Sequence, residues 1–243
     1  MKKWVVYLVL GLSAYILSGC TSINLEPEKF YLYKKQCKNN DAKACYALGM
    51  MYKKGIKTRK NFYRAKKAFR QSCKNIYKKD ISFLDKEHIL NACNELGEFY
   101  SKGLGGRKNY YRAKKLFKDS CNRDHGKSCS NLGEMYREGR GFKRNYSRAT
   151  AYFNKGCNNG DIKGCYGLGL AYLTGQGVKH NYTKARIAFT KSCNDNHSLS
   201  CFNLGSLYEN GHGMAEDNSK AKDYYKKSCE LGLKVGCSNQ KRL

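Results

Sequence analysis

The first residues in this 243-residue chain that could do chemistry are its 13 cysteines. Thiolates hold metals, exchange electrons, or pair as disulfides. A zinc site would need C-x-x-C or H-E-x-x-H spacing, and neither occurs. His88, His125, His180, His197 and His212 fall at intervals that build no ligand set, so no metal and no cofactor is expected. The S-x-x-K spacing, in which a lysine helps activate a serine nucleophile, occurs at Ser219/Lys222 and Ser238/Lys241. No S-D-N or K-T-G accompanies either. Ser219 falls where a helix N-cap is expected and Ser238 in a terminal tail, so the catalytic residues stay unassigned. That leaves a disulfide framework, which belongs to an oxidising compartment.

The N-terminus points to the same compartment. Lys2 and Lys3 precede an apolar run from Trp4 to Leu17, of signal-peptide length and short for a membrane span. The run closes with Leu17-Ser18-Gly19-Cys20, which resembles the bacterial lipobox, where the cysteine receives a diacylglyceryl group before cleavage. Residues 1–19 are then a signal peptide and 20–27 a tether lipidated at Cys20. This places the protein on the bacterial envelope, facing the periplasm or the surface, or else secreted. Cleavage removes two lysines and takes the formal charge from +28 to +26.

The other twelve cysteines are periodic. Cys37/Cys45, Cys121/Cys129, Cys157/Cys165, Cys193/Cys201 and Cys229/Cys237 all read C-x7-C, and Cys73/Cys93 is the same pair stretched by 12 residues. The interval from each second cysteine to the next first one is always 28 residues, giving a period of 36 away from the stretch. Twelve cysteines allow many connectivities, but nearness within each turn favours the sequential pairing. A loop of about nine residues is worth roughly 2.5 kcal/mol per bridge in the chain-entropy model.

Each 28-residue unit reads as two helices. The first carries C-x-x-L-G-x-x-Y, as in Cys45-Leu48-Gly49-Tyr52 and Cys129-Leu132-Gly133-Tyr136, positions that share one helical face. A mid-helix glycine costs about 1 kcal/mol relative to alanine, so its recurrence predicts another helix crossing closely there. A G-x-G loop follows, from Gly103-Leu104-Gly105 to Gly211-His212-Gly213, with Gly55-Ile56-Lys57 as the departure. No strand precedes these loops, which excludes a phosphate cradle. The second helix pairs an alanine with an aromatic four residues on: Ala65/Phe69, Ala113/Phe117, Ala149/Phe153, Ala185/Phe189 and Ala221/Tyr225. Ser147, Thr183 and Ser219, two residues before the alanine, read as N-caps.

The expected architecture is all-α, a right-handed superhelical solenoid over residues 28–237. It has an N-terminal cap helix and helix pairs at 42–73, 90–121, 126–157, 162–193 and 198–229. Residues 238–243 form a tail, because the chain stops six residues after Cys237 and leaves a stub in place of a sixth first helix. The insertion from Asn75 to Ala92 is either an arm that docks a partner or, in keeping with its apolar residues, a helix extension packed back on the array.

The unit resembles the Sel1-like repeat, a relative of the tetratricopeptide repeat. The resemblance rests on C/A-x-x-L-G-x-x-Y, the G-x-G loop and A-x-x-x-F/Y over about residues 28 to 237. The cysteine pair in every repeat makes it similar to the Helicobacter cysteine-rich protein family, exported and disulfide-bonded. That resemblance implies binding of penicillin, slow hydrolysis of penicillin and cephalosporin derivatives, and encounter with host proteins. The insertion and the lipobox depart from the plainest family pattern.

Lys and Arg number 47 against 19 acids, a balance that suggests an anionic partner. The cysteine load argues against nucleic acid and leaves lipid phosphates and acidic glycans. A solenoid presents a concave wall, and Asn94, Glu95, Asn131, Glu134, Tyr166, Phe202 and Asn203 are expected on it. Amides and aromatics there suit an extended peptide, a cell-wall fragment, or an envelope or host protein.

Overall fold

The computed structural model describes residues 26–77 and 81–243. The expected signal peptide at residues 1–19 and the expected lipidation site Cys20 lie outside the described residues. The described residues form twelve α-helices and one 3-10 helix and include no strand. α1 (Glu26–Lys38) is a lone second helix. The pairs are α2 (Ala42–Lys54) with α3 (Phe62–Cys73), α4 (Phe83–Lys102) with α5 (Tyr110–Cys121), and α6 (Gly126–Glu138) with α7 (Tyr146–Asn158). Then come α8 (Ile162–Thr174) with α9 (Tyr182–Asn194), and α10 (Ser198–Glu209) with α11 (Asn218–Glu230). α12 (Lys234–Arg242) closes the array, so residues 238–243 are not the expected tail. Gly236 of α12 is buried against Ser228, and the Cys229–Cys237 bridge holds its first turn on α11. Neighbouring helices pack along the whole stack, which makes the molecule a solenoid.

Steric fit at the helix crossing builds each pair. A Cβ placed on Gly49, Gly97 or Gly169 would come within 2.5 Å of the ring of Phe69, Phe117 or Phe189. The corresponding distances are 2.8 Å for Gly133 against Phe153 and 2.7 Å for Gly205 against Tyr225. All five rings are buried. The glycine of the first helix is therefore the socket for the aromatic of the second, and the helices approach as closely as ring thickness allows.

The second helices start two residues earlier than the sequence suggested. Asn61, Asn109, Asn145, Asn181 and Asp217 are the N-caps, each side chain accepting from the backbone N–H three residues on. Each cap's own N–H bonds the carbonyl of the tyrosine ending the first-helix motif, from Asn61 to Tyr52 at 2.9 Å through Asp217 to Tyr208 at 2.9 Å. One residue thus starts a helix and closes the hairpin. Ser147, Thr183 and Ser219 lie within the first turn, exposed, and cap nothing.

The second glycine of the G-x-G loop has positive φ and meets the previous repeat. A Cβ on Gly177 would lie 2.3 Å from the backbone of Tyr146. Six disulfides, Cys37–Cys45, Cys73–Cys93, Cys121–Cys129, Cys157–Cys165, Cys193–Cys201 and Cys229–Cys237, tie the end of each second helix to the next first helix. The 12-residue stretch becomes the 3-10 helix Lys74–Tyr77 and an early start of α4 at Phe83, where Ser82 caps Asp85 N. Ile76, Ile89 and Leu90 are buried, so the segment is a helix extension rather than a free arm.

Candidate functional site

First helices pack on one another across repeats, α2 on α4 and α6 on α8. Among second helices the largest such contact, α1 on α3, is much smaller. The more closely spaced row is the inner row of a curved stack, so first helices line the concave wall. Along that wall runs a groove of about 380 Å³ between α4, the N-terminal turns of α6 and α8, and the turn that precedes α10.

A chain of polar side chains joining α4 and α6 runs beneath its Asn94–Asn131 edge. His125 Nε2 lies 3.1 Å from Asn91 Oδ1, and its Nδ1 lies 2.8 Å from Ser128 Oγ. Ser128 Oγ is 3.2 Å from Asn94 Oδ1, which also accepts from Asn131 Nδ2 at 2.8 Å. Burial, aided by the charge of Lys127, pushes the His125 ring down to about 4, so the ring is neutral at ordinary pH. Asn94, expected on the surface, is buried as the hub of this chain, because it must satisfy two donors from α6. Asn131 remains on the groove wall.

The walls carry charge of both signs. Lys127 and Lys163 face Glu98 and Asp161 across the groove. Burial disfavours the charge on Glu98, but the hydrogen bond and charge of Lys102 at 2.5 Å, with Lys53 and Lys163, hold its carboxyl below the usual range. Glu95 is ion-paired with Lys53 at 2.5 Å. His197 packs its ring 4.6 Å from that of Tyr166, and burial and Lys163 keep it below the usual histidine range. Tyr166 also borders a second groove of about 290 Å³ with Glu134 and Arg137, themselves paired at 2.7 Å. Asn203 hydrogen-bonds Tyr166, and Phe202 packs on Tyr225 at 5.4 Å. Of the wall residues named from sequence, Asn94 and Asn131 border the first groove and Glu134 and Tyr166 the second, while Glu95, Phe202 and Asn203 border neither.

The His125–Ser128 pair has the reach of a base and its nucleophile, but Ser128 is fully buried and no substrate atom can approach it. His197 and Ser200 repeat the arrangement at 3.0 Å in the first turn of α10, which identifies both as helix-start contacts. Ser219 and Lys222 are exposed on α11, and Ser238 on α12 gives its hydroxyl to Lys234 O at 3.4 Å, so the S-x-x-K pairs meet no groove. His180 and His212 flank the ring of Tyr182, and His88 lies 6.0 Å from Tyr46. Among the described residues no group of three or more His, Cys, Asp or Glu is placed to hold a metal. No described helix is long and apolar enough to cross a membrane.

Comparison with known proteins gives a consistent fold. The Sel1 repeat family model matches residues 42–75, 90–125, 126–161, 162–197 and 198–233. A solved structure of a protective antigen present in uropathogenic Escherichia coli strains, displaying an SLR fold, is 27% identical over 87% of this chain, with a TM-score of 0.73. This chain spans only 43% of that antigen. A Sel1 repeat protein from Oxalobacter formigenes is 22% identical, covers 88% of this chain and 85% of its own, and has a TM-score of 0.71. Cysteine rich protein B of Helicobacter pylori is 25% identical over 56% of this chain and 94% of its own; its TM-score of 0.42 is too low to say more. Among curated proteins none matches the sequence.

Proposed function

Because the chain belongs to the Sel1 repeat family, we propose that it is an exported binding scaffold whose concave groove holds an extended, peptide-like ligand of the cell wall. Cysteine-rich Sel1 repeats bridged six times belong in an oxidising compartment. The observation that carries the ligand reading is the Asn131-bearing wall above the Asn91–His125–Ser128–Asn94 chain. Side-chain amides have the donor and acceptor of a peptide unit and pair with one without a net charge change. Lys127 and Lys163 offer charge to a terminal carboxylate, and His197, whose ring packs on Tyr166, offers an aromatic edge. Rigid first helices present these groups without ordering cost at the moment of binding.

A β-lactam is a compact amide bearing a carboxylate and enters the same reading as a ligand of this groove. Hydrolysis is not part of it, since the serine beside His125 is buried. The lipobox-like Leu17-Ser18-Gly19-Cys20 supports a membrane tether through Cys20, which the intact mass of the envelope-extracted protein tests. For the groove, calorimetric titration of the full chain with a cell-wall stem peptide and with a penicillin is the test. Binding of the peptide that falls about tenfold in Asn131→Ala, with penicillin competing, is expected. A peptide that binds equally well to Asn131→Ala, or not at all, ends the proposal. Turnover of a chromogenic cephalosporin at a rate lost with Ser128→Ala would replace it with an enzymatic one.

A further inference from the structure

The second helices, the outer row, carry more positive charge than the first helices. α3 reads FYRAKKAFRQSC, with four cations and no acid, and α5 reads YYRAKKLFKDSC, with four cations and one acid. At the seam between them, Tyr100 from the last turns of α4 places its hydroxyl between two guanidinium groups. Arg70 Nη2 donates to it at 3.0 Å and Arg112 Nη1 at 3.3 Å. The Lys66 ammonium lies 4.3 Å from the centroid of the same ring and is 7% exposed.

Two guanidinium groups therefore meet one neutral oxygen while an ammonium lies over the ring that bears it, and among the described residues none of the three is ion-paired with a carboxylate. A buried ammonium beside two like charges is a costly arrangement that an anion relieves. The groups respond accordingly. Burial, reinforced by Arg70 and Arg112, holds Lys66 below the usual lysine range. Tyr100 sits below the usual phenol range: burial opposes that, but the two arginine hydrogen bonds outweigh it. In the next seam Lys114 and Arg148 lie 5.6 Å from the Tyr136 ring, but the place of Arg70 is held by Lys118 there and by Asn154, Thr190 and Lys226 further on, so the guanidinium pair on a tyrosine hydroxyl belongs to this seam.

We propose that Lys66, Arg70 and Arg112 form a binding site for a phosphoryl group on the outer face of the array. A tetrahedral phosphoryl anion presents several oxygens, enough to take one donor from each cation, whereas a carboxylate is satisfied by a single guanidinium. Inorganic phosphate and the phosphate of an anionic lipid headgroup share this chemistry.

The experiment titrates the full oxidised chain at low ionic strength with inorganic phosphate, and in parallel with phosphatidylglycerol and phosphatidylcholine vesicles. The variant is Arg70→Gln/Arg112→Gln. The control, Lys222→Gln/Lys226→Gln, removes the same charge from exposed positions on α11. Saturable phosphate binding, one per chain, weakened about tenfold or more in the seam variant and retained in the control, supports the site with a free anion as ligand. Binding to phosphatidylglycerol vesicles alone, with the same loss, supports it with a headgroup as ligand. Equal weakening in both variants, or no binding of either probe, overturns it. Should circular dichroism show the double variant unfolded, Lys66→Met carries the same comparison.

Discussion

Gly169→Ala tests the socket on which every helix pair depends. In a free helix the change would stabilise by about 1 kcal/mol. Here the new methyl would sit 2.5 Å from Cδ1 and Cε1 of Phe189, where carbon atoms prefer about 3.5 to 4 Å. Something must give by about 1 Å, and the ring is fully buried against Leu204 of the next repeat's core and tilted on Tyr166 at 6.1 Å. Overpacking of this kind costs about 1 to 3 kcal/mol. Because the ring has no exit, the upper half of that range applies, and the net loss after the propensity gain is about 1 to 2 kcal/mol. For a domain of this size that is a fall in Tm of about 2 to 8 °C, read by circular dichroism on the oxidised protein. The cycle with Phe189→Leu completes the test. A smaller side chain vacates the space, so the double variant should lose at least about 1 kcal/mol less than the two single losses summed. A Gly169→Ala protein that melts at or above the parent, or additivity within about 0.5 kcal/mol, would refute the socket.

Asn145→Ala should cost about 1 kcal/mol of stability and Ser147→Ala less than about 0.5, measured by urea denaturation, since only the first caps α7. His125 takes up a proton at about 4 when folded, against about 6.5 when unfolded, so the unfolded chain binds more protons between those values. Stability is therefore complete above pH 6.5, falls through this window, and levels below pH 4, by about 2 to 3 kcal/mol from this residue. In His125→Gln that part of the pH slope should vanish from urea titrations. Reduction of the bridges should lower Tm sharply while far-ultraviolet helicity at low temperature partly survives. An unchanged melt would show that the bridges do not restrain the chain.

What the sequence made legible follows from the range of each interaction. The glycine-to-aromatic socket, the positive-φ loops and the cysteine pairs recur within 36 residues and at fixed spacing, so repetition exposes them. The true caps also recur, as Asn61, Asn109, Asn145, Asn181 and Asp217 four residues before the alanine. In the last three repeats Ser147, Thr183 and Ser219, two residues later, carry the same capping chemistry and mask them. The groove floor was not legible. Asn94 lies one repeat before Ser128 and Asn131, and their meeting depends on how α4 sits on α6. The sixth first helix was hidden for another reason: nine residues fold as α12 because a bridge and a glycine contact hold them, not because of helix propensity.

The bridges are all local. Five close a separation of 8 residues and one a separation of 20, and between consecutive bridges the chain runs through two helices and a loop with no covalent cross-link. Such staples hold helices in register but do not hold a cut chain together. A trypsin-like protease that reaches the exposed basic loops, at Arg107, Arg140 or Lys179, leaves two pieces joined only by packing. Under denaturing conditions those pieces separate without any reductant. The protein is thus armoured against melting and left open to clipping, and its lifetime among proteases is set by how rarely those loops fit a protease cleft.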